Sequence, residues 1–331
     1  MCGIVGYIGD ENATGIIIDG LKKLEYRGYD SSGIALVTKD HQLIVRKKKG
    51  RIANLEELIA GEDLYANLGI GHTRWATHGA PSDVNAHPHT DMSGRIAVVH
   101  NGIVENYLAL KEWLIKEHNV VFKSETDTEI IAQLIGVLYD GDIEEAVRKA
   151  VEKMQGAYGI GVICRDEPDK MIAVRKDSPL IVGLGQGCNF IASDIPALLK
   201  YVRQIYLIEN NEMVVLTAND VKIYNADHEE VHRDVFNVTW DADAAEKEGY
   251  DHFMLKEIHE QPKGIRDTLV RRMDENGEIV LDGIKLTKED IEGFNKVYIV
   301  ACGTAYHAGL IGKFAIEKLA KISVEVDVAS E

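Results

Sequence analysis

The residue at position 2 is a cysteine followed by Gly3-Ile4-Val5-Gly6-Tyr7-Ile8-Gly9, and loss of Met1 would make it the amino terminus. An N-terminal cysteine carries a nucleophilic sulfur and a free α-amine on one residue, so nucleophile and candidate base arrive together. That amine, with an ordinary pKa of about 7.7–8.0, is partly unprotonated at neutral pH and can take the thiol proton directly or through one water. The plainer reading of Cys2 is a small buried residue opening a hydrophobic strand. A Cys–His pair would instead need His72, His78 or His100 beside the sulfur, which the amine makes unnecessary.

Three further clusters bring polar groups where a core strand or simple turn does not need them. In Gly71-His72-Thr73-Arg74-Trp75-Ala76-Thr77-His78-Gly79, Arg74 offers the planar fork that clamps a carboxylate with two parallel hydrogen bonds. In His100-Asn101-Gly102, where a strand is expected to give way to a helix, the asparagine amide and a glycine N–H can face a developing oxyanion. In the third cluster, at the start of a predicted helix, Asp127 can receive an α-ammonium group. Each has a plainer alternative: Arg74 in a surface ion pair, Asn101-Gly102 as a turn, Asp127 as a cap. Taken together they hold an amino acid by its zwitterion and attack its side-chain carbonyl. With glutamine, that chemistry releases ammonia through a thioester.

Positioning such residues requires a layered scaffold. Short apolar runs bounded by glycine and polar residues predict strands over 3–8, 33–37, 42–48, 68–74, 96–100, 158–164, 170–175, 180–184, 189–193, 204–208, 212–216 and 221–225. Helical periodicity covers 14–25, 53–60, 106–117, 127–139 and 142–154. Ser124-Glu125-Thr126-Asp127-Thr128-Glu129 opens one of these helices with cap-forming residues and first-turn carboxylates. The pattern is that of an α+β domain of sheets sandwiched by helices. Asp241–Gly249 is acidic and non-amphipathic, as an interdomain connector would be. A helix from about Phe253 to Met273 follows, then a strand, a turn at Cys302-Gly303-Thr304, a helix to about Ala320 and a strand over 323–328. This is one unit of a parallel sheet. It cannot bury itself, so the second domain is expected to be incomplete.

Bulk properties narrow the function classes. The chain has 331 residues, 45% hydrophobic and 27% charged, with a net charge of −17. Such a charge repels nucleic acid and anionic membranes. Arg46-Lys47-Lys48-Lys49 is the one dense basic run and reads as a solvated strand end or turn. Cys2, Cys164, Cys188 and Cys302 show no Cys-x-x-Cys spacing, so neither a zinc site nor a disulfide framework is indicated. His87 and His89 lack a third ligand at suitable spacing. Gly183-Leu184-Gly185-Gln186-Gly187 lies between two strands and reads as a hairpin turn rather than a nucleotide loop. No signal peptide or membrane span is apparent, and a cytoplasmic protein is expected.

Met1-Cys2-Gly3-Ile4-Val5-Gly6, Tyr26-Arg27-Gly28-Tyr29-Asp30-Ser31-Ser32-Gly33, the 72–79 segment, Asn85-Ala86-His87-Pro88-His89, His100-Asn101-Gly102 and Thr126-Asp127-Thr128-Glu129, in this order, resemble the N-terminal-nucleophile glutamine amidotransferases. Within them the chain is most similar to the branch whose acceptor is fructose 6-phosphate, and the resemblance covers all of its length. It implies a four-layer αββα sandwich of the N-terminal-nucleophile hydrolases, with Cys2 as nucleophile and Asn101 and Gly102 as oxyanion hole. Arg74 and Asp127 would hold the backbone groups of L-glutamine, and Thr77 and His78 would line the pocket. Trp75 would sit on a loop closing over it, and Arg27 would lie close to the nucleophile and support it. The second part resembles the start of an α/β sugar isomerase domain, in which Cys302, Gly303 and Thr304 suit a phosphorylated sugar. Ala305 stands where a serine is common.

The resemblance divides the chain into a glutaminase domain over 1–238, a linker over 239–250 and the start of an isomerase domain over 251–331. Its isomerase residues are expected beyond Glu331, so the chain should hydrolyse glutamine without making glucosamine 6-phosphate. No cofactor or metal is expected, no nucleic-acid or membrane partner, and a homodimer in the longer protein. The alternatives are a different acceptor, such as phosphoribosyl pyrophosphate or an adenylated aspartate, and a glutamine- or sugar-phosphate-sensing module without turnover.

Overall fold

Strand β1 (Gly3–Gly9) is buried at all seven positions, which is why its sequence reads as a continuous apolar run rather than an alternating one. Its odd side chains Val5 and Tyr7 join one hydrophobic cluster, and its even side chains Ile4 and Ile8 join another. Both faces of the strand are therefore covered. The computed structural model describes residues 2–76, 79–239, 250–270, 272–274, 277, 279–280, 284 and 286–329. These fall into two units, Met1–Phe253 and Met254–Glu331.

In the first unit β1 is followed by α1 (Ala13–Leu24), β2 (Ser31–Val37), β3 (Leu43–Lys49), α2 (Ile52–Ile59), β4 (Leu68–Arg74), β5 (His89–Thr90) and β6 (Ile96–Val104). Three helices come next, α3 (Tyr107–His118), α4 (Asp127–Leu138) and α5 (Ile143–Lys153). Then come β7 (Gly156–Cys164), β8 (Glu167–Lys176), β9 (Ile181–Leu184), β10 (Cys188–Ala192), β11 (Gln204–Leu207), β12 (Glu212–Leu216), β13 (Val221–Tyr224), β14 (Glu230–Val231) and β15 (Phe236–Asn237). One eight-stranded sheet has the order β15-β11-β9-β10-β1-β4-β2-β3, and a seven-stranded sheet the order β14-β13-β12-β8-β7-β6-β5.

Three clusters of apolar side chains bind the layers. Ile17, Leu21 and Leu24 of α1 and Ile52 and Leu55 of α2 cover the outer face of the first sheet. Ile4, Ile70, Ala97, Val99, Met171 and Val214 fill the space between the sheets. Leu114, Ile131, Leu134 and Val147 of α3–α5 cover the outer face of the second. The result is a four-layer αββα sandwich. Every strand and helix expected from the pattern of the first 225 residues is present within a few residues of its bounds, and Gly185–Gly187 joins β9 to β10 in an antiparallel hairpin. The two-residue β5, β14 and β15 were not expected, since two residues carry no readable period.

Two local readings are corrected. Strand β6 does not end at Asn101-Gly102 but pairs with β7 through Val104↔Gly156, because Gly102 adopts a φ of +130° where a Cβ would collide with the Ala157 carbonyl oxygen. Absence of a side chain lets the ladder continue. The basic run also differs: Arg46 pairs with Glu62 and Lys48 with Asp83, but Lys47 turns inward. Its Nζ donates to the carbonyls of Val84, Ala86 and Pro88 at 3.1, 2.7 and 3.3 Å. Those three oxygens replace the water that would otherwise solvate it.

In the second unit α6 (Phe253–Val270) and α7 (Lys288–Glu292) precede β16 (Lys296–Ala301), α8 (Gly303–Leu319) and β17 (Ser323–Val328). Strands β16 and β17 pair in parallel, Lys296↔Ser323 through Ala301↔Val328, as the strand–helix–strand reading required. Of the expected linker, residues 240–249 lie outside the described residues. Among the described residues no helix is long and apolar enough to cross a membrane.

Candidate active site

Alternation along three strands decides what meets at one end of the sandwich. Arg74 and His72 share parity with Leu68 and Ile70 of β4, and Asn101 shares parity with Ala97 and Val99 of β6, so all three lie on the faces between the sheets. Cys2, just before β1, shares parity with Ile4 and Ile8. The β1–β4 register pairs Gly3 with Thr73, which sets Cys2 beside Arg74. The Trp75 amide donates to Cys2 Sγ at 3.2 Å, and Asn101 Nδ2 donates to the Cys2 carbonyl at 3.1 Å. Burial pushes the Cys2 thiol above its ordinary range, partly offset by the Trp75 amide and the charge of Arg74.

Cys2, Arg74, Trp75, Gly102 and Asp127 line one pocket with His87, His100, Thr126 and Thr128. Asp127 opens α4 and accepts the Val104 amide through Oδ2 at 2.9 Å, tying the helix start to the end of β6. Arg74 donates from Nη2 to the Gly79 carbonyl at 3.1 Å, and burial pulls its pKa below the usual arginine value. Thr126 occupies the N-cap position without a capping side-chain bond, because its hydroxyl pairs with His89 Nε2 at 2.9 Å. Glu129 reaches back instead, accepting the amides of Lys123 and Ser124 at 2.8 and 2.5 Å.

Arg27 is not part of the pocket wall; its Nη1 lies 2.8 Å from Asp194 Oδ2, joining the turn before Gly28 to the end of β10. Gly28 itself lies so close to β4 that a Cβ would stand 2.7 Å from the Arg74 carbonyl carbon. Thr77 and His78 lie outside the described residues, as does Met1, whose removal would free the Cys2 amine. In the second unit the helix α8 begins directly at Gly303, with φ +59°, and Cys302 is its N-cap without a side-chain bond. The expected turn at Cys302, Gly303 and Thr304 is thus a single residue followed by helix.

Several residues gather at the site to which the sequence reading gave no role, or only one that it set aside. Asp30 accepts the Ala76 amide at 2.8 Å. Beneath the pocket, His72 stacks on His87 at 4.2 Å between ring centroids. His87 Nε2 and His100 Nδ1 share the Thr128 hydroxyl at 2.7 and 2.9 Å. Neither His72 nor His100 has Cys2 as a hydrogen-bond partner, so the structure gives no Cys–His pair among the described histidines. Burial pushes His72 down to about 3 and His87, His89 and His100 below the usual histidine range. They form a neutral layer. Among the described residues no group of His, Cys, Asp or Glu side chains is placed to hold a metal ion.

A larger cavity of about 670 Å³ lies among Leu43, Val45, Lys47, Met92, Lys123 and Glu129. None of the expected site residues lines it, and three of its polar side chains are already engaged: Lys47 by three carbonyls, Glu129 by two amides, Gln133 by the Met92 amide. Convergence of Cys2, Arg74 and Asp127 marks the smaller pocket instead.

Residues 72–200 match the family described as "Glutamine amidotransferase domain". The chain carries a glutamine amidotransferase domain. Over its whole length it is similar to curated proteins named glutamine--fructose-6-phosphate aminotransferase [isomerizing], with 59% identity to that of Clostridium tetani and 54% to that of Aquifex aeolicus. Each alignment takes in 100% of this chain and 54% of the relative; the chain spans about half the length of the curated relatives it matches. A solved structure of glutamine phosphoribosylpyrophosphate amidotransferase from B. subtilis superposes with a TM-score of 0.63 at 19% identity, over 98% of this chain and 65% of that one. Another, of the allosteric regulatory enzyme of purine biosynthesis, gives 0.60 at 24% identity over 68% and 49%. These two likenesses speak for the fold. That fold is the four-layer αββα sandwich, and the pocket at Cys2 lies at the end of its inter-sheet layer.

Proposed function

We propose that the amidotransferase domain hydrolyses L-glutamine to glutamate and ammonia at Cys2, and that the longer protein delivers the ammonia to fructose 6-phosphate to form glucosamine 6-phosphate. The observation that carries the first step is the convergence of Cys2, Arg74 and Asp127 on one pocket, with the Asn101 amide 3.1 Å from the Cys2 carbonyl. The acceptor rests on the curated relatives' shared name.

After Met1 is removed, the Cys2 amine takes the thiol proton while Sγ attacks the side-chain carbonyl carbon of glutamine. Arg74 binds the substrate α-carboxylate and Asp127 its α-ammonium, through the oxygen that Val104 does not occupy. Asn101 Nδ2 and the Gly102 amide stabilise the oxyanion. Collapse of the tetrahedral intermediate breaks the C–N bond, and the proton held by the amine leaves with the nitrogen as ammonia. Water, deprotonated by the same amine, then attacks the thioester, returning the thiol and releasing glutamate. The pocket encloses about 30 Å³, room for a water or two. Trp75, exposed and hydrogen-bonded to Cys2 Sγ, belongs to the wall that must move to admit glutamine. For the other residues named above, the proposal assigns Thr77 and His78 to glutamine binding, Arg27 to support of the site from outside, and Cys302, Gly303 and Thr304 to the sugar phosphate in the longer protein.

The deciding experiment is a glutaminase assay on chain shown by mass spectrometry to begin at Cys2, with Cys2→Ala as control. Ammonia release by the parent and none by the variant supports the reading. Absence of turnover by correctly processed chain removes it. Ammonia transfer to fructose 6-phosphate by the full-length protein tests the acceptor.

A further inference from the structure

The oxyanion donor assigned to Asn101 raises a question of orientation. A side-chain amide has a donor end and an acceptor end of nearly equal shape, and only the Nδ2 end can stabilise negative charge. Something must select that end. His72 Nε2 lies 3.1 Å from the His100 carbonyl oxygen and 3.0 Å from Asn101 Oδ1. A backbone carbonyl only accepts, so Nε2 carries the imidazole hydrogen. With that hydrogen in place, turning Nδ2 toward His72 would set two donors against each other.

We propose that His72 is a positioning residue: the hydrogen on its Nε2 holds Asn101 with Oδ1 turned toward the imidazole and Nδ2 turned toward Cys2. The inference rests on the reading of Asn101 as an oxyanion donor. The same N–H also grips the His100 carbonyl, so the peptide preceding Asn101 and the side chain beyond it share one anchor. The other ring nitrogen of His72 has no hydrogen-bond partner although it is buried. A ring kept for packing alone would be better served by carbon at that position. The stacked His87 ring closes one face, and burial keeps the imidazole neutral through the working pH range. His72 therefore orients a donor without exchanging a proton with substrate.

The test compares two substitutions in the processed chain. In His72→Gln the terminal amide nitrogen can take the place of Nε2 and still donate to Asn101; in His72→Met it cannot. We expect His72→Met to lower kcat for glutamine hydrolysis about hundred-fold, the range of losing one oxyanion donor, with KM within about threefold of the parent. His72→Gln should keep kcat within about tenfold of the parent. In an Asn101→Ala background, His72→Met should add little further loss. Multiplicative losses, or a Gln variant as slow as the Met variant with an unchanged melting temperature, would overturn the proposal. Imidazole 15N chemical shifts give a readout that needs no activity: His72 should be protonated on Nε2 in the folded chain. Protonation on Nδ1 would refute the assignment even if glutamine is turned over. Failure of the parent to hydrolyse glutamine would strike the proposed function, and the shifts would still decide the role of His72.

Discussion

The carboxylate of Asp30 accepts the Ala76 amide at 2.8 Å, while the Asp30 amide donates to the Arg74 carbonyl at 2.9 Å. One residue thus grips the chain on both sides of Trp75, whose own amide reaches Cys2 Sγ. The neighbouring Tyr29 ring meets the Trp75 ring edge to face at 5.5 Å. The segment beside Cys2 is therefore held by the turn before β2.

Removing the carboxylate should loosen that segment without altering Cys2. A hydrogen bond to a charged group contributes about 1.5–3 kcal/mol, so Asp30→Ala is expected to lose roughly tenfold or more in kcat/KM for glutamine. Asp30→Asn, which retains an acceptor, should lose less. Steady-state kinetics of the two variants decide it; equal and parental values would show that the contact does not support the site.

Strand parity made much of the site readable. Cys2, Arg74 and Asn101 occupy runs whose apolar residues alternate or fill both faces, and period two alone sends them to the same inter-sheet layer as Ile4, Ile70 and Val99. Asp127 was legible because a helix must begin near it. What the pattern did not expose were groups whose role depends on partners far along the chain. Thr128 receives His87 and His100, and Asp30 reaches across 46 residues to Ala76; no local periodicity encodes such a meeting. Lys47 carried a usable signal that the dense charge obscured, since it follows Leu43 and Val45 on their inward face. Position along the strand outweighed its charge. The break expected at Asn101-Gly102 failed for the opposite reason, because glycine there serves a close approach to β7 rather than a turn.

That close approach gives a sharp expectation for Gly102→Ala. The backbone φ of +130° is poorly suited to a residue with a side chain, and the added Cβ would meet the Ala157 carbonyl oxygen. Strain and collision together should destabilise the fold by about 2 kcal/mol or more. Glutaminase activity should be lost with it. A Gly102→Ala chain that melts with the parent and retains its activity would contradict the geometry.

The buried histidine layer predicts acid sensitivity. Burial lowers the folded pKa of His72 to about 3 and holds His87, His89 and His100 below 6.5. The unfolded chain binds protons at these four positions near pH 6.5, whereas the folded chain does not. Stability from this source is therefore fully present above pH 6.5 and is lost as pH falls from there toward the folded pKa values. Each histidine left neutral costs about 1.4 kcal/mol per pH unit well below 6.5. The urea midpoint should fall steeply between pH 7 and pH 5, with net proton uptake on unfolding. A midpoint flat across that interval would mean that these rings are already protonated in the folded protein.

The Cys2 thiol and the amine proposed as its base should titrate apart. Burial holds the thiol above its ordinary range, so alkylation of Cys2 by iodoacetamide in chain that retains Met1 should still be accelerating as pH rises past 9. A rate that levels off near pH 7 would mean that Arg74 outweighs the burial. In processed chain, kcat/KM for glutamine should instead rise through the pKa of an α-amine, about 7.7–8.0, because that group rather than the free thiolate sets the active fraction. Acetylating the new terminus should abolish turnover while leaving Cys2 open to slow alkylation at high pH. If the acetylated chain hydrolyses glutamine at the parental rate, the proton goes to another group and the nucleophile does not carry its own base.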